Sequence, residues 1–493
     1  MEKITLKING QDVETESGST ILEAARSAGI DIPTLCYLKG VNQIGACRMC
    51  VVEVKNARTL MAACTTKAAP GMEVWTESEQ VVESRRQTLS LLCANHHLDC
   101  EYCPRYSDCE LHALFVRYGI RAKKLGAFAM EPDLDKTAPH LVRDANRCLL
   151  CRRCVAACHA QGIDAIAILG RGQDARVGAP LGLGSSNCIH CGQCVTACPT
   201  GALFEQDETH ALRCALEYKD KHVVGIVEPP VWAALGEAFQ EPMGVNVRGK
   251  LAAFLQRIGF ELVWDLCREP DGRWEELRAH LQQSGQTPLV SAACPAFASY
   301  CEQNRPAWNE WRSKLAHPAA AVAGNIRERS AKRLGVDEQD IVVVSISACI
   351  AQKAAQAPQV DCSITSRELV KLLRTACVSL STSLDVWRSL PEETYDNETS
   401  AVRSFLPLPD PEGGIVKTRL ERDGAAVSAC VVSGLAEGLR LLDESQNGGA
   451  HYDYIEVRAC PGGCLAGGGQ PRHSRPLQNE VCVAAERKKA LQA

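Results

Sequence analysis

The chemistry of this sequence is carried by sulfur: 27 of its 493 residues are cysteine, and most fall into regularly spaced sets. Cys148, Cys151, Cys154 and Cys158 are spaced C-x2-C-x2-C-x3-C. Cys188, Cys191, Cys194 and Cys198 repeat the run, with Pro199 directly behind. In such a pair of runs the first three thiolates hold one iron–sulfur cluster, and the fourth reaches across to the cluster of the other run. One [4Fe–4S] cluster is therefore expected on Cys148, Cys151, Cys154 and Cys198, and a second on Cys188, Cys191, Cys194 and Cys158.

Nearer the N-terminus, Cys36, Cys47, Cys50 and Cys64 occur as C-x10-C-x2-C-x13-C. Thiolates two residues apart reach one iron, and two more from neighbouring loops complete a four-thiolate [2Fe–2S] site; zinc accepts the same donors. His96, Cys100, Cys103 and Cys109 form H-x3-C-x2-C-x5-C. One imidazole with three thiolates suits zinc or a [4Fe–4S] cluster. A neutral nitrogen in place of a thiolate makes a cluster less negative and raises its potential.

The elements that must hold these sets are legible around them. Residues 3–16 read as two strands joined at Asn9-Gly10, a hairpin signal. A helix follows, with Thr20 and Glu23 in a capping-box pattern, Ile21, Leu22 and Ala25 as an apolar stripe, and Gly29 as the C-cap. Residues 1–78 are thus expected to form a β-grasp-like [2Fe–2S] ferredoxin domain. Residues 79–118 form a largely helical segment carrying the one-histidine, three-cysteine set. A mixed connector runs to about 138, and residues 139–207 form a bacterial-type 2[4Fe–4S] ferredoxin domain built as an internal repeat. Beyond about 220, strands alternate with helices, the α/β pattern. The fold class expected is multidomain, α/β and α+β, with the α/β domain over 220–475. The polar residues 476–493, which include Glu486-Arg487-Lys488-Lys489, are expected to form a solvated tail.

Three strands of the α/β half end on cysteine. Cys294 follows a predicted strand at 288–291, Cys349 one at 341–346 and Cys460 one at 454–457, with Cys464 four residues later; a further strand is expected at 223–227. Ligands of open α/β sheets bind beyond the carboxyl ends of strands, so these ends point to a shared site. Gly462, Gly463, Gly467 and Gly468 would let the backbone approach a bulky cofactor there. Taken singly, each cysteine reads as a buried core thiol.

Composition narrows the class. There are 54 basic against 59 acidic residues, a net charge of −5, which gives no basic surplus for nucleic acid or anionic lipid. No run of 18 uncharged apolar residues occurs, and Met1-Glu2-Lys3-Ile4-Thr5-Leu6-Lys7 is no signal sequence. A cytoplasmic protein without a membrane span is expected, in which cysteines are metal ligands rather than disulfides.

The order of a [2Fe–2S] pattern followed by the one-histidine, three-cysteine pattern resembles the N-terminus of [FeFe]-hydrogenases and of the large iron–sulfur subunit of respiratory complex I. By that resemblance the histidine ligand is His96, and not His97. The segments Ser291-Ala292-Ala293-Cys294-Pro295, Ser347-Ala348-Cys349-Ile350-Ala351-Gln352-Lys353 and Glu456-Val457-Arg458-Ala459-Cys460-Pro461-Gly462-Gly463-Cys464 resemble the three signatures of the [FeFe]-hydrogenase catalytic domain. The resemblance implies that Cys294, Cys349, Cys460 and Cys464 hold a further [4Fe–4S] cluster, with Cys464 bridging to a two-iron subcluster, and that Lys353 lies at the cofactor.

The sequence departs from that family around the two-iron half. Ala293 stands where the family has a proton-relaying cysteine, and a methyl group neither gives nor takes a proton. Gln352 replaces the lysine that bonds a cyanide, Ser347-Ala348 a Met-Pro, Arg458 a Met, and Glu228-Pro229-Pro230 an Ala-Pro-Ser. Between Asn397 and Val432 there is no counterpart of the family's Gly-Ala-Thr-Gly-Gly closing segment. No catalytic residue is therefore assigned. The remaining cysteines, Cys93, Cys214, Cys267, Cys301, Cys362, Cys377, Cys430 and Cys482, read as core residues.

Four clusters in series imply a wire that carries single electrons to a buried site. The expected function is an iron–sulfur electron-transfer subunit of a soluble NAD(P)-linked oxidoreductase complex, derived from [FeFe]-hydrogenase and poor at hydrogen turnover. The alternative is a slow or hydrogen-sensing [FeFe]-hydrogenase. The chain has no flavin or nucleotide fingerprint. The resemblance implies flavin/NAD(P)-binding and small [2Fe–2S] partner subunits, with ferredoxin as a further candidate.

Overall fold

The computed structural model describes residues 2–106, 108–120, 133–218, 220–269, 272–284, 288–355, 357–379, 410, 413–422, 425–449, 451–472 and 482–492. The expected hairpin joins Lys3–Ile8 to Gln11–Glu16, with Asn9 at φ 52° and Gly10 at φ 84°. Two left-handed residues match the right-handed twist of the flanking strands. The helix Ile21–Ser27 starts on the complete capping box of Thr20 and Glu23. It buries Ile21, Leu22, Ala24 and Ala25 against Leu6, Ile8 and Val13 of a five-stranded sheet.

Helices Glu79–Ala94 and Glu110–Tyr118 come next. Their Leu89, Cys93, Leu111 and Phe115 share a core with Leu35 and Met49 of the first domain. Arg85 is fully buried between the two units. Its guanidinium donates to the Val51 carbonyl at 2.8 Å, and to the Tyr118 hydroxyl and the Glu77 carboxylate at 2.9 Å each. A buried charge bonded through both terminal nitrogens ties the cluster-bearing segment to the first sheet.

The ferredoxin repeat holds the short helices Arg153–Ala160 and Gln193–Ala197 beside strands Leu141–Asp144 and Leu203–Glu205. The α/β half then forms two four-stranded sheets. One is wholly parallel, in the order Leu262–Asp265, His222–Val227, Ile341–Ser347, Cys362–Thr365. In the other, Leu289–Val290 and Ala425–Ser433 flank Tyr454–Arg458 in parallel, and Gly414–Arg422 closes one edge as a hairpin. All four predicted strands are present. Ile163, Ile189 and Val195 of the ferredoxin repeat lie in one continuous apolar core with Val290 and Ile455 of the second sheet and Phe297 of the helix Pro295–Asn304.

The tail expectation is corrected. Val483–Gln492 is a helix docked on the body, with Ala484 and Ala490 buried. Arg487, 3% exposed, forks onto Glu237 at 2.8 Å and donates to the Leu465 and Pro471 carbonyls. The apolar positions 484, 487 and 490 recur every three residues, and the arginine stem serves as one of them. Residues 397–409, 411–412 and 423–424 of the segment between Asn397 and Val432 lie outside the described residues, as does the side chain of Cys377. Among the described residues no helix is long and apolar enough to cross a membrane.

Candidate functional site

Each predicted thiol set is brought together from separate loops. In the first domain Cys50 donates to Cys64 at 3.3 Å, and hydrogen bonds from Cys47 and Cys64 hold the Cys36 thiol far below its ordinary range. In the ferredoxin repeat each group of thiols takes one cysteine from the other run. Cys148, Cys151, Cys154 and Cys198 line one small cavity. Cys158 lies close enough to Cys191 and Cys194 to raise both, after burial has already done so.

The two runs share a backbone device. Leu150 and Arg152 sit at φ 52° and 61°, and His190 and Gly192, at the same offsets in the second run, at 55° and 74°. Left-handed residues between the cysteines turn successive amides inward, the concavity that binds anionic groups. The amides of Leu150 and His190 donate to Cys148 and Cys188 Sγ at 3.4 Å each, and that of Ala165 to Cys158 Sγ at 3.3 Å. Buried thiols ringed by amide donors fit an anionic iron–sulfur cage. Among the described residues no three Cys, His, Asp or Glu side chains form a single-ion site, and the described cysteines are free thiols.

His96 is half-buried and His97 exposed. Burial brings His96 down to about 4, so the ring is neutral, and its buried Nδ1 has no hydrogen-bond partner. A neutral imidazole with a free lone pair fits a metal ligand. Cys100, Cys103 and Cys109 lie with it in one loop region, where Cys103 raises both neighbours after burial.

The sets do not stand in single file. Asn42, 4% exposed, donates from Nδ2 to the carbonyls of both Cys36, at 2.7 Å, and Cys151, at 3.1 Å. The histidine-bearing loop reaches the same ferredoxin set from another side. Buried Arg105 donates to the Cys198 carbonyl, Cys109 Sγ lies 3.9 Å from the Pro199 carbonyl, and a Cβ on Gly201 would meet Cys103 Sγ at 2.6 Å. Two N-terminal sets therefore abut one ferredoxin set. Spacing gave no sign of this branching.

In the α/β half the three strand ends deliver their cysteines to one place, Cys294 and Cys460 from the second sheet and Cys349 from the first. Cys349 is pushed well up by burial and then by Cys294, Cys460 and Cys464. The Ala459 amide donates to Cys294 Sγ at 3.4 Å. All four predicted positions are thus brought together. Cys301 is a core thiol, 1% exposed.

The surroundings are polar and tied to one another. Ala293 sits beside Cys294, its amide donating to Ser291 Oγ at 3.1 Å. Gln352 Nε2 donates to His317 Nδ1 at 3.2 Å and to Ser345 Oγ at 2.8 Å. The Ala319 amide also donates to His317 Nδ1, at 3.3 Å, so the ring proton is assigned to Nε2, 3.5 Å from Glu228 Oε1. Burial brings His317 down to about 3 and pushes Glu228 up to about 8. Sequence reasoning placed Arg458 only as a replacement. Its guanidinium pairs with buried Glu456 at 2.7 Å and lies beside Cys464 and Cys294. The signal was the i, i+2 spacing of opposite charges on one face of a buried strand.

Two cofactor expectations meet a different arrangement. Lys353, 5% exposed, pairs with Glu368 at 2.7 Å and donates to the Gln206 carbonyl at 2.8 Å, so its ammonium is committed to the helix Ser366–Ser379 and to the end of the ferredoxin repeat. Of the glycines, Gly462 and Gly463 take φ 76° and 66°. Gly467 and Gly468 press on protein backbone, at Ala348 and at Cys191-Gly192.

Fold and site together define a multi-cluster iron–sulfur protein. The chain belongs to the iron-only hydrogenase large-subunit family: the C-terminal domain of that subunit matches residues 221–406 and 410–468. A 2Fe-2S iron-sulfur cluster binding domain matches residues 1–79, the NADH-ubiquinone oxidoreductase-G iron-sulfur binding region 85–124, and a 4Fe-4S dicluster domain 147–202. The NADP-reducing hydrogenase subunit HndD of Solidesulfovibrio fructosivorans is 33% identical over 96% of this chain and 89% of its own. Iron hydrogenase 1 of Clostridium pasteurianum is 29% identical over 97% and 90%. A solved [FeFe]-hydrogenase from Chlamydomonas reinhardtii, 22% identical, covers 58% of this chain and 88% of its own with a TM-score of 0.48.

Proposed function

We propose that this chain is the iron–sulfur electron-transfer subunit of an NAD(P)-linked oxidoreductase complex, derived from a hydrogenase and poor at hydrogen turnover. It carries one [2Fe–2S] cluster on Cys36, Cys47, Cys50 and Cys64, and a [4Fe–4S] cluster on His96, Cys100, Cys103 and Cys109. Two more [4Fe–4S] clusters fill the ferredoxin repeat in the crossed arrangement, and a terminal one is held by Cys294, Cys349, Cys460 and Cys464. Bound clusters supply one-electron storage at each site. The chain's own residues orient the thiols, aim amides at sulfur and bury the step from the ferredoxin repeat to the terminal site in one apolar core.

The observation that carries the reading is the contrast at the terminal site. All four thiols converge there, while Ala293 offers no proton, Gln352 is committed to His317 and Ser345, and Arg458 stands beside Cys464. The NADP-reducing hydrogenase subunit and the oxidoreductase-G region support partner subunits of an NAD(P)-linked complex, which we take to be flavin/NAD(P)-binding and small [2Fe–2S] subunits. Ferredoxin is a further candidate, and the cytoplasm the expected compartment.

Infrared spectroscopy of the protein co-expressed with hydrogenase maturation enzymes tests the proposal. The expected result is no metal-bound CO or cyanide bands, with iron matching one [2Fe–2S] and four [4Fe–4S] clusters. Such bands together with steady hydrogen evolution would overturn it in favour of a working hydrogenase.

A further inference from the structure

The terminal thiol set and the second ferredoxin set meet backbone to backbone at two glycines, with the Ile350 and Gln193 side chains packed beside the contact. Cys460 Sγ donates toward the Cys191 carbonyl at 3.9 Å. Gln193 Nε2, from the residue two beyond Cys191, donates to the Ala466 carbonyl at 3.1 Å, and its side chain also bonds Cys460. Gly468 faces both sets. Its amide donates to Cys460, and a Cβ built on it would run into the Cys191 carbonyl oxygen and stand 2.6 Å from Gly192 Cα. A Cβ on Gly192 would in turn stand 2.9 Å from Gly468 Cα. Two glycines pressed together bring peptide against peptide, a separation that no L side chain at either position permits.

The contact is held shut from the far side. Glu205, which ends the last strand of the ferredoxin repeat, accepts a two-pronged bond from Arg367 at 2.8 and 2.9 Å. The same guanidinium donates to the Gly468 carbonyl at 2.5 Å and the Gln470 carbonyl at 2.8 Å. A planar fork that grips a carboxylate on one unit and two carbonyls on the other fixes their relative position.

We propose that the Gly192–Gly468 apposition, clamped by Glu205 and Arg367, is the electron bridge between the two sets, and that Gly468 is its positioning residue. One electron leaves the reduced cluster on Cys158, Cys188, Cys191 and Cys194, which is oxidised, and enters the cluster on Cys294, Cys349, Cys460 and Cys464, which is reduced. The Cys191 peptide and Gly468 carry it to Cys460, and no bond or proton changes hands. This rests on the cluster assignment proposed above.

The test uses the full-length holoprotein, reduced with dithionite and frozen for electron paramagnetic resonance. The wild type should show two reduced clusters split by mutual spin coupling. G468A, with unchanged iron content, should lose that splitting, and the terminal cluster should reduce more slowly in freeze-quench experiments. Arg367→Lys, which keeps the charge and loses the fork, should weaken the splitting without any added volume at the contact. Iron-replete G468A with unchanged splitting overturns the proposal. If G468A fails to assemble its terminal cluster, unchanged splitting in Arg367→Lys overturns it instead. A wild type without a terminal cluster signal sinks the cluster assignment itself, and the bridge with it.

Discussion

Asn42 Nδ2 donates to the carbonyl of Cys151, 109 residues further along the chain, at 3.1 Å. The same nitrogen serves the Cys36 carbonyl, so one buried amide joins a [2Fe–2S] set to a ferredoxin set. Asn42→Ala should leave two buried carbonyls short of a donor and cost about 1–3 kcal/mol in urea unfolding. Spin coupling between the two clusters should weaken with it. A variant as stable and as strongly coupled as wild type would show that the bond holds nothing.

Ala293→Cys asks a different question. If a two-iron unit is bound and only the proton relay is broken, restoring a thiol next to Cys294 should raise hydrogen evolution sharply. The expected outcome is no increase, because Gln352 and Arg458 also differ around that half of the site. Gas chromatography of evolved hydrogen decides it.

The clamp between the ferredoxin repeat and the terminal domain should be acid-sensitive. Burial alone would raise the Glu205 carboxyl, but Arg367 overrides it and holds the group at about 2, against an ordinary 4.5. A depressed folded value gives stability that is present above about 4.5 and fades as pH falls toward 2. The gap in urea midpoint between wild type and Glu205→Gln should therefore be full at pH 6 and shrink below pH 4.5. A gap that grows on acidification would contradict the ion pair.

Arg487→Ala removes the guanidinium fork from buried Glu237, a loss of about 3–5 kcal/mol for buried pairs of this kind. Thermal unfolding followed by circular dichroism should show the drop. A change within error would mean that the helix Val483–Gln492 adds nothing to the body.

What the sequence disclosed was local or periodic. The Asn9-Gly10 hairpin, the Thr20/Glu23 box and the strands ending near Cys294, Cys349 and Cys460 follow from turn chemistry, capping and alternation. The crossed pairing of Cys158 and Cys198 follows from spacing. What stayed hidden depends on contacts between distant residues. Nothing near Asn42 announces Cys151, and nothing near Gly468 announces Gly192. Two neighbouring sheets look like one from strand signals alone, and Arg487 passes for surface because its charge hides the stem that packs. Lys353 resembled a cofactor contact because it stands one residue beyond the position expected for one. Its neighbour Glu368 was not legible as a partner until both were buried together.

The core that runs unbroken from Ile189 and Val195 into Phe297 and Ile455 bears on protein engineering. A domain boundary drawn between the ferredoxin repeat and the α/β half cuts through packed side chains. A chimera meant to feed the terminal site from a foreign electron source should therefore be spliced ahead of residue 139 and not behind 207. Joined by that core, the last two relays and their destination are expected to unfold together.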